Sequence, residues 1–168
     1  MSKSIIISGQ TGTGRTRMAM YIADAFDMGY VIIGSVASLE KYADKPTVIE
    51  FDTLSPKEFY ALEYKDKFKV AFMGFATVPA ENLFDFWVNS GYQKNTGLSD
   101  EELVQFSEAV VSIGKRNRDE CEELGYRFFD ISDLKANRSN SPYASEVWEY
   151  LFGEKREIDL GKKLKFDI

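Results

Sequence analysis

The chain has 168 residues, 44% of them hydrophobic and 29% charged. This fits one globular domain that can bury on the order of 70% of the surface its unfolded chain exposes. It has no histidine and one cysteine, Cys121, which excludes imidazole bases, histidine-ligated metals, internal disulfides and thiolate clusters, and suits a reducing cytoplasm. With 21 basic against 27 acidic residues, net −6, it is a poor default binder of nucleic acid, and no apolar run has the length of a membrane span.

The elements follow in chain order. Ile5-Ile6-Ile7 is a short apolar run that predicts a buried strand, and three glycines follow it between Gly9 and Gly14. Met18, Ile22 and Ala25, with Phe26 beside them, have helical spacing, and Gly29 is placed to stop that helix. Tyr30–Ile33 and Val48–Phe51 read as two further strands, the latter ending at Asp52. Ser55-Pro56-Lys57-Glu58 is a helix start, with a serine cap, a first-turn proline and a glutamate three residues on. Lys69–Met73 predicts a fourth strand that ends at Gly74.

Residues 75–98 mix aromatics with turn formers and give no clear period; Phe84 and Trp87 read as core, and Tyr92 is left open. Ser99-Asp100-Glu101-Glu102 is a second capping box, opening the longest helix, whose stripe of Leu103, Phe106, Val110, Ile113, Cys121 and Leu124 stops at Gly125. Cys121 on that stripe reads as a small buried hydrophobe. Tyr126–Phe129 predicts a fifth strand ending at Asp130, and Ser141-Pro142 opens a last helix through Trp148 and Leu151 to Gly153. We therefore divide the chain into a domain over 1–153 and a charged tail over 154–168, where alternating Leu164, Phe166 and Ile168 suggest a terminal strand or a partner contact. Strands alternating with helices predict an α/β fold, a three-layer sandwich on a mainly parallel five-stranded sheet, with its site where strands end and helices begin.

The chemistry lies in Gly9-Gln10-Thr11-Gly12-Thr13-Gly14-Arg15-Thr16, which matches G-x-x-x-x-G-K-[ST] everywhere except the lysine. Glycines permit positive φ and let successive N–H groups converge, and a helix N-terminus adds its positive dipole end. Context supports the motif, since an apolar strand precedes it and an amphipathic helix follows. On these residues the chain resembles the P-loop NTPases, and among them the small nucleotide, nucleoside and shikimate kinase-like group. The resemblance in layout covers about residues 3–153, but only 9–16 are specific.

The resemblance implies ATP with Mg²⁺ and phosphoryl transfer to a small acceptor. By position, Gly9, Gln10, Thr11, Gly12, Thr13 and Gly14 would cradle the phosphates, Arg15 would stand where lysine meets the β- and γ-phosphates, and Thr16 would ligate Mg²⁺. Asp52, at a strand end, is the candidate acid, to hold Mg²⁺ or position the acceptor hydroxyl, with Glu50 as backup and Asp130 weaker still. Arg116, Arg118 and Arg138 are candidates to neutralise the moving phosphoryl group, though for the first two, cations are favoured near a helix C-terminus in any case. Asn137 and Arg138 lie where similar kinases wrap the adenine, and no arginine-rich lid is evident.

Arginine at position 15 keeps the charge of lysine but is longer, planar and forked. Two readings therefore stay open: an ATP-dependent phosphotransferase with catalytic Arg15 and Asp52, or a nucleotide-binding regulatory or interaction protein that no longer catalyses. An ATPase or GTPase switch ranks third, because a further signature such as the base-reading N-K-x-D is missing from the chain. The sequence leaves the acceptor, ATP against GTP, and homo-oligomer formation open.

Overall fold

A computed structural model describes residues 2–134 and 142–167. Five strands, β1 (Ser4–Gly9), β2 (Gly29–Ile33), β3 (Thr47–Asp52), β4 (Phe68–Gly74) and β5 (Phe128–Asp130), form one sheet in the order β2-β3-β1-β4-β5, and every pair is parallel. The helices are α1 (Arg15–Ala25), α2 (Pro56–Tyr60), α3 (Ala80–Asn89), α4 (Tyr92–Thr96), α5 (Asp100–Leu124) and α6 (Pro142–Phe152). The expected α/β class, strand count and flanking helices are present, and the sheet is parallel throughout the described residues.

Alternation along the strands makes two cores. Ile5, Ile7, Val48, Ala71 and Met73 face one side, where Met18 and Ile22 of α1 and Val147 and Trp148 of α6 cover them. Ile6, Ile49, Phe51, Val70 and Phe72 face the other, with Phe59 of α2 and Cys121 of α5. A strand buried on both faces needs a continuous apolar run, which is why β1 reads as Ile-Ile-Ile. Trp148 is fully buried and stacks on Phe26 at 5.4 Å between ring centres, which docks α6 against α1.

Both capping boxes form: Ser55 and Ser99 each accept the N–H of the glutamate three residues on, and that glutamate returns a bond to the serine N–H. Gly125 ends α5 at φ 80. The stop of α1 differs from expectation. The helix ends at Ala25, Asp27 takes the left-handed turn at φ 50, and Gly29 instead begins β2. The fifth strand begins at Phe128 rather than Tyr126.

The region 75–98 holds α3 and α4. Trp87 is buried, with Phe75, Phe86, Tyr92 and Phe106 around its ring, and Phe84 is partly buried against the same core. Gly114 lets α5 cross close to the end of β4, since a Cβ there would lie 1.9 Å from the Phe75 carbonyl oxygen. No strand forms in the described tail: Ile158, Leu160 and Leu164 are buried in the first core, and Phe166 meets the Tyr30 ring.

Candidate functional site

The turn from Gln10 to Gly14 leaves the C-terminal end of β1, between β3 and β4. Here β1 connects toward β2 on one side while β4 connects toward β5 on the other, the kind of switch point at which open parallel sheets bind ligands. Gly12 at φ 83 and Gly14 at φ 84 supply the left-handed turns. Both are also needed for space: a Cβ on Gly12 would lie 2.5 Å from the Trp87 ring, and one on Gly14 would meet the Tyr143 hydroxyl. Helix α1 then begins with no capping side chain and no acidic residue in its first turn. Its first N–H groups and its dipole are left for an anion.

The side chains of this first turn lie across β3. Glu50, 3% exposed, pairs in register with Ile7 of β1 and forms the hub. The Thr16 hydroxyl donates to its Oε1 at 2.6 Å, Arg15 Nε donates to the same oxygen at 2.9 Å, and the Tyr30 hydroxyl donates to Oε2. Burial pushes the Glu50 carboxyl up, but the bonds from Thr16, Tyr30 and Arg15, with the Arg15 charge, outweigh it and hold the group below the usual carboxylate range. Tyr30 is moved upward by its burial and by the bond to Glu50.

Arg15 is thus committed to β3. Its Nη1 donates to Asp52 Oδ1 at 3.0 Å and to the Gly9 carbonyl, and only 14% of its side chain is exposed. One positive charge faces two carboxylates. Asp52 is brought to Arg15, with its side chain 64% exposed, and Glu50, the backup of the sequence reading, receives the Thr16 hydroxyl. Thr53 follows Asp52 at φ 61, a conformation rare for a β-branched residue; its N–H reaches the Gly9 carbonyl at 3.2 Å and its hydroxyl reaches Asp52 at 3.1 Å. The end of β3 is in this way tied to the start of the turn.

Two cavities open on the glycines. One, of about 190 Å³, is lined by Gln10, Thr11, Gly12, Gly14, Arg15, Thr16 and Arg17. The other, of about 610 Å³, shares Gly12, Gly14 and Arg17 and is walled by Phe86, Tyr143, Leu160, Gly161 and Asp167. Gln10 Oε1, on the turn itself, is buried with no hydrogen-bond partner among the described residues, as expected of a group that a ligand or water completes; Trp87 Nε1 is likewise buried without one, but it is the six-membered-ring edge of Trp87 that meets Gly12. Thr13 is buried and turned inward, its hydroxyl bonded to the Gln10 carbonyl at 2.7 Å.

Other candidates lie elsewhere or do other work. Asp130 clamps the loop after β4, accepting from the Ala76 N–H at 3.1 Å and the Thr77 hydroxyl at 2.8 Å. Arg116 bonds to Asn117 and pairs with Glu120, and Arg118 pairs with Asp119, all within α5. Asn137 and Arg138 lie outside the described residues. Sequence reasoning gave Tyr30, Arg17 and the tail no place in the site. The available signal was an acid inside an apolar strand, Val48-Ile49-Glu50-Phe51, because a buried carboxylate demands donors.

The donor set fits a hard cation: an alcohol and a carboxylate oxygen already adjoin at Thr16 and Glu50. Among the described residues no three acidic, cysteine or histidine side chains gather. Magnesium is commonly held by one or two protein oxygens together with substrate phosphates, and at this pair such a cation would have to displace the bond that Arg15 Nε makes to the same Oε1. No helix among the described residues is long and apolar enough to cross a membrane. Compared with protein-family models and with curated proteins, the chain matches none.

Proposed function

We propose that the chain binds a nucleoside triphosphate, ATP in the first instance, with its phosphates on the turn Gly9–Thr16, and transfers a phosphoryl group to a small acceptor. The observation that carries this reading is the first turn of α1. It follows two positive-φ glycines, has no cap and no acid, holds Arg15 and Arg17, and presents a Thr16 hydroxyl bonded to a buried carboxylate. Both arginines are paired with carboxylates, so what this helix N-terminus offers an anion is its uncapped N–H groups and the positive end of its dipole.

In this reading Gln10, Thr11, Gly12, Thr13 and Gly14 contribute backbone N–H groups, and the 610 Å³ cavity beside them takes the sugar and base. Thr16 and Glu50 would hold Mg²⁺, which when bound neutralises phosphate oxygens and fixes their orientation. Asp52 lies outermost, where a carboxylate can accept a proton from an acceptor hydroxyl. Trp87 and Tyr143, packed on Gly12 and Gly14, restrict water at the turn.

A second reading, binding without turnover, rests on Arg15. A guanidinium already forked between Glu50 and Asp52 has little left to offer a γ-phosphate. One experiment separates the two. Calorimetry with Mg-ATP is expected to give heat that the Thr16→Ala variant loses, and a panel of nucleosides, nucleoside monophosphates and sugars is expected to stimulate ADP release. Heat without ADP in both the wild-type chain and Arg15→Lys selects the second reading. No heat with millimolar Mg-ATP or Mg-GTP overturns both.

A further inference from the structure

Arg17, the other first-turn cation, lines both cavities at the glycine turn. It is held by the C-terminal segment and not by the sheet. Its Nε donates to the Leu160 carbonyl at 2.9 Å, its Nη2 to the Lys162 carbonyl at 2.8 Å, and its Nη1 to Asp167 Oδ1 at 2.8 Å. The two carbonyls orient the guanidinium, and the carboxylate neutralises it.

The two arginine pairs differ in how easily they can open. Arg15 is bonded to a buried carboxylate and largely covered, whereas Arg17 and Asp167 are each about a third exposed. An exposed pair in high dielectric gives up little when an anion replaces the carboxylate. Asp167 also lines the larger cavity, so its charge stands where an anionic ligand would come closest to Arg17.

We infer that Arg17 is the anion-directed cation of this site and that Asp167 is an internal competitor for it, so that ligand phosphate and the C-terminal segment exclude one another at Arg17. The inference rests on the phosphate-binding reading of the turn. It adds a binding residue outside the motif and makes the last residues of the segment a sensor of occupancy. The Leu164 N–H, which donates to Asp167 Oδ2 at 2.8 Å, and the Lys165 N–H, which donates to Asp24 of α1 at 3.1 Å, would lose protection as the segment is displaced from α1.

The test uses the full chain and inorganic tripolyphosphate as probe. Asp167→Asn, which keeps an acceptor for the Leu164 N–H, is expected to bind the probe about fivefold more tightly than wild type, the order an exposed ion pair supports. Arg17→Gln is expected to bind about tenfold more weakly, with Arg17→Lys restoring part of the loss. Glu108→Gln removes an exposed acid from α5, away from the C-terminal segment, and controls for net charge. Hydrogen exchange at Leu164 and Lys165 is expected to quicken on addition of the probe.

If wild type binds and Asp167→Asn gains no more than Glu108→Gln, the competitor role is overturned. If Arg17→Gln binds as wild type does, Arg17 is not a ligand residue. Exchange at the two amides that is unmoved by bound probe also refutes the inference, while leaving phosphate binding by the turn intact. If neither wild type nor any variant binds, the reading of the turn and this inference fall together.

Discussion

Glu50→Gln is the most informative perturbation, because one buried carboxylate joins the helix, the turn and the sheet. The substitution keeps the shape and one acceptor oxygen but removes the charge that Arg15 faces at 2.9 Å. Deleting one partner of a fully buried ion pair costs about 3–5 kcal/mol. Here Arg15 keeps Asp52 and the Gly9 carbonyl, and glutamine can still accept from Thr16 or Tyr30, so we expect about 2 kcal/mol. For a chain of this length that corresponds to a melting temperature lower by roughly 4–8 °C.

The pH dependence gives the prediction its sign. The folded carboxyl lies below its ordinary value of 4.5, so near that pH the unfolded chain binds the proton more readily. The contribution of Glu50 is complete above the unfolded value and is lost as pH falls through the folded one. Urea unfolding of wild type and variant is therefore expected to show a gap of about 2 kcal/mol at pH 7 that narrows progressively once the pH falls below the ordinary value of 4.5. A gap under about 0.5 kcal/mol, or one constant from pH 7 to pH 3, would refute the hub.

Three other outcomes follow from single residues. Gly12→Ala combines a φ of 83 with a Cβ 2.5 Å from the buried Trp87 ring, and is expected to cost about 2–4 kcal/mol in chemical denaturation and to shift Trp87 fluorescence. Gly114→Ala meets backbone rather than side chain, 1.9 Å from the Phe75 carbonyl oxygen, so we expect a loss of at least about 3 kcal/mol or no soluble folded protein, measured by thermal unfolding. The Cys121 thiol, pushed up to about 12 by burial and then by Glu120, is expected to resist a thiol reagent at pH 8 in the native state and to react at once in 8 M urea.

Much of this fold can be read from short-range chemistry. Strands buried on both faces must be mostly apolar, and β1, β3 and β4 are, with Glu50 and Lys69 as the charged exceptions in β3 and β4. Serine followed at three residues by glutamate must open helices, and Ser55 and Ser99 do. What eluded the sequence depends on partners distant along the chain. Trp87 reads as core and is core, but that Phe75, Tyr92, Phe106 and the Gly12 backbone are what surround it is encoded in no local period. The alternation of Leu164 and Phe166 marks two side chains for burial without saying what covers them. Leu164 enters the core and Phe166 goes to Tyr30, with no strand partner needed.

The candidate acid shows the same limit more sharply. Glu50 and Asp52 share a strand face, and the position of Asp52 at the strand end favours it. The parallel register sets Glu50 beside Ile7 and Asp52 beside Gly9, and it is Glu50 that meets the Thr16 hydroxyl. The arginine in place of lysine then gains a reason that neither residue shows alone. A lysine ammonium is a point donor, whereas a guanidinium can bond Glu50 through Nε and Asp52 through Nη1 at once. The departure at position 15 and the two acids two residues apart on β3 are therefore parts of one arrangement. It moves the fixed positive charge of the turn onto the sheet and leaves Arg17 as the cation free to exchange its partner.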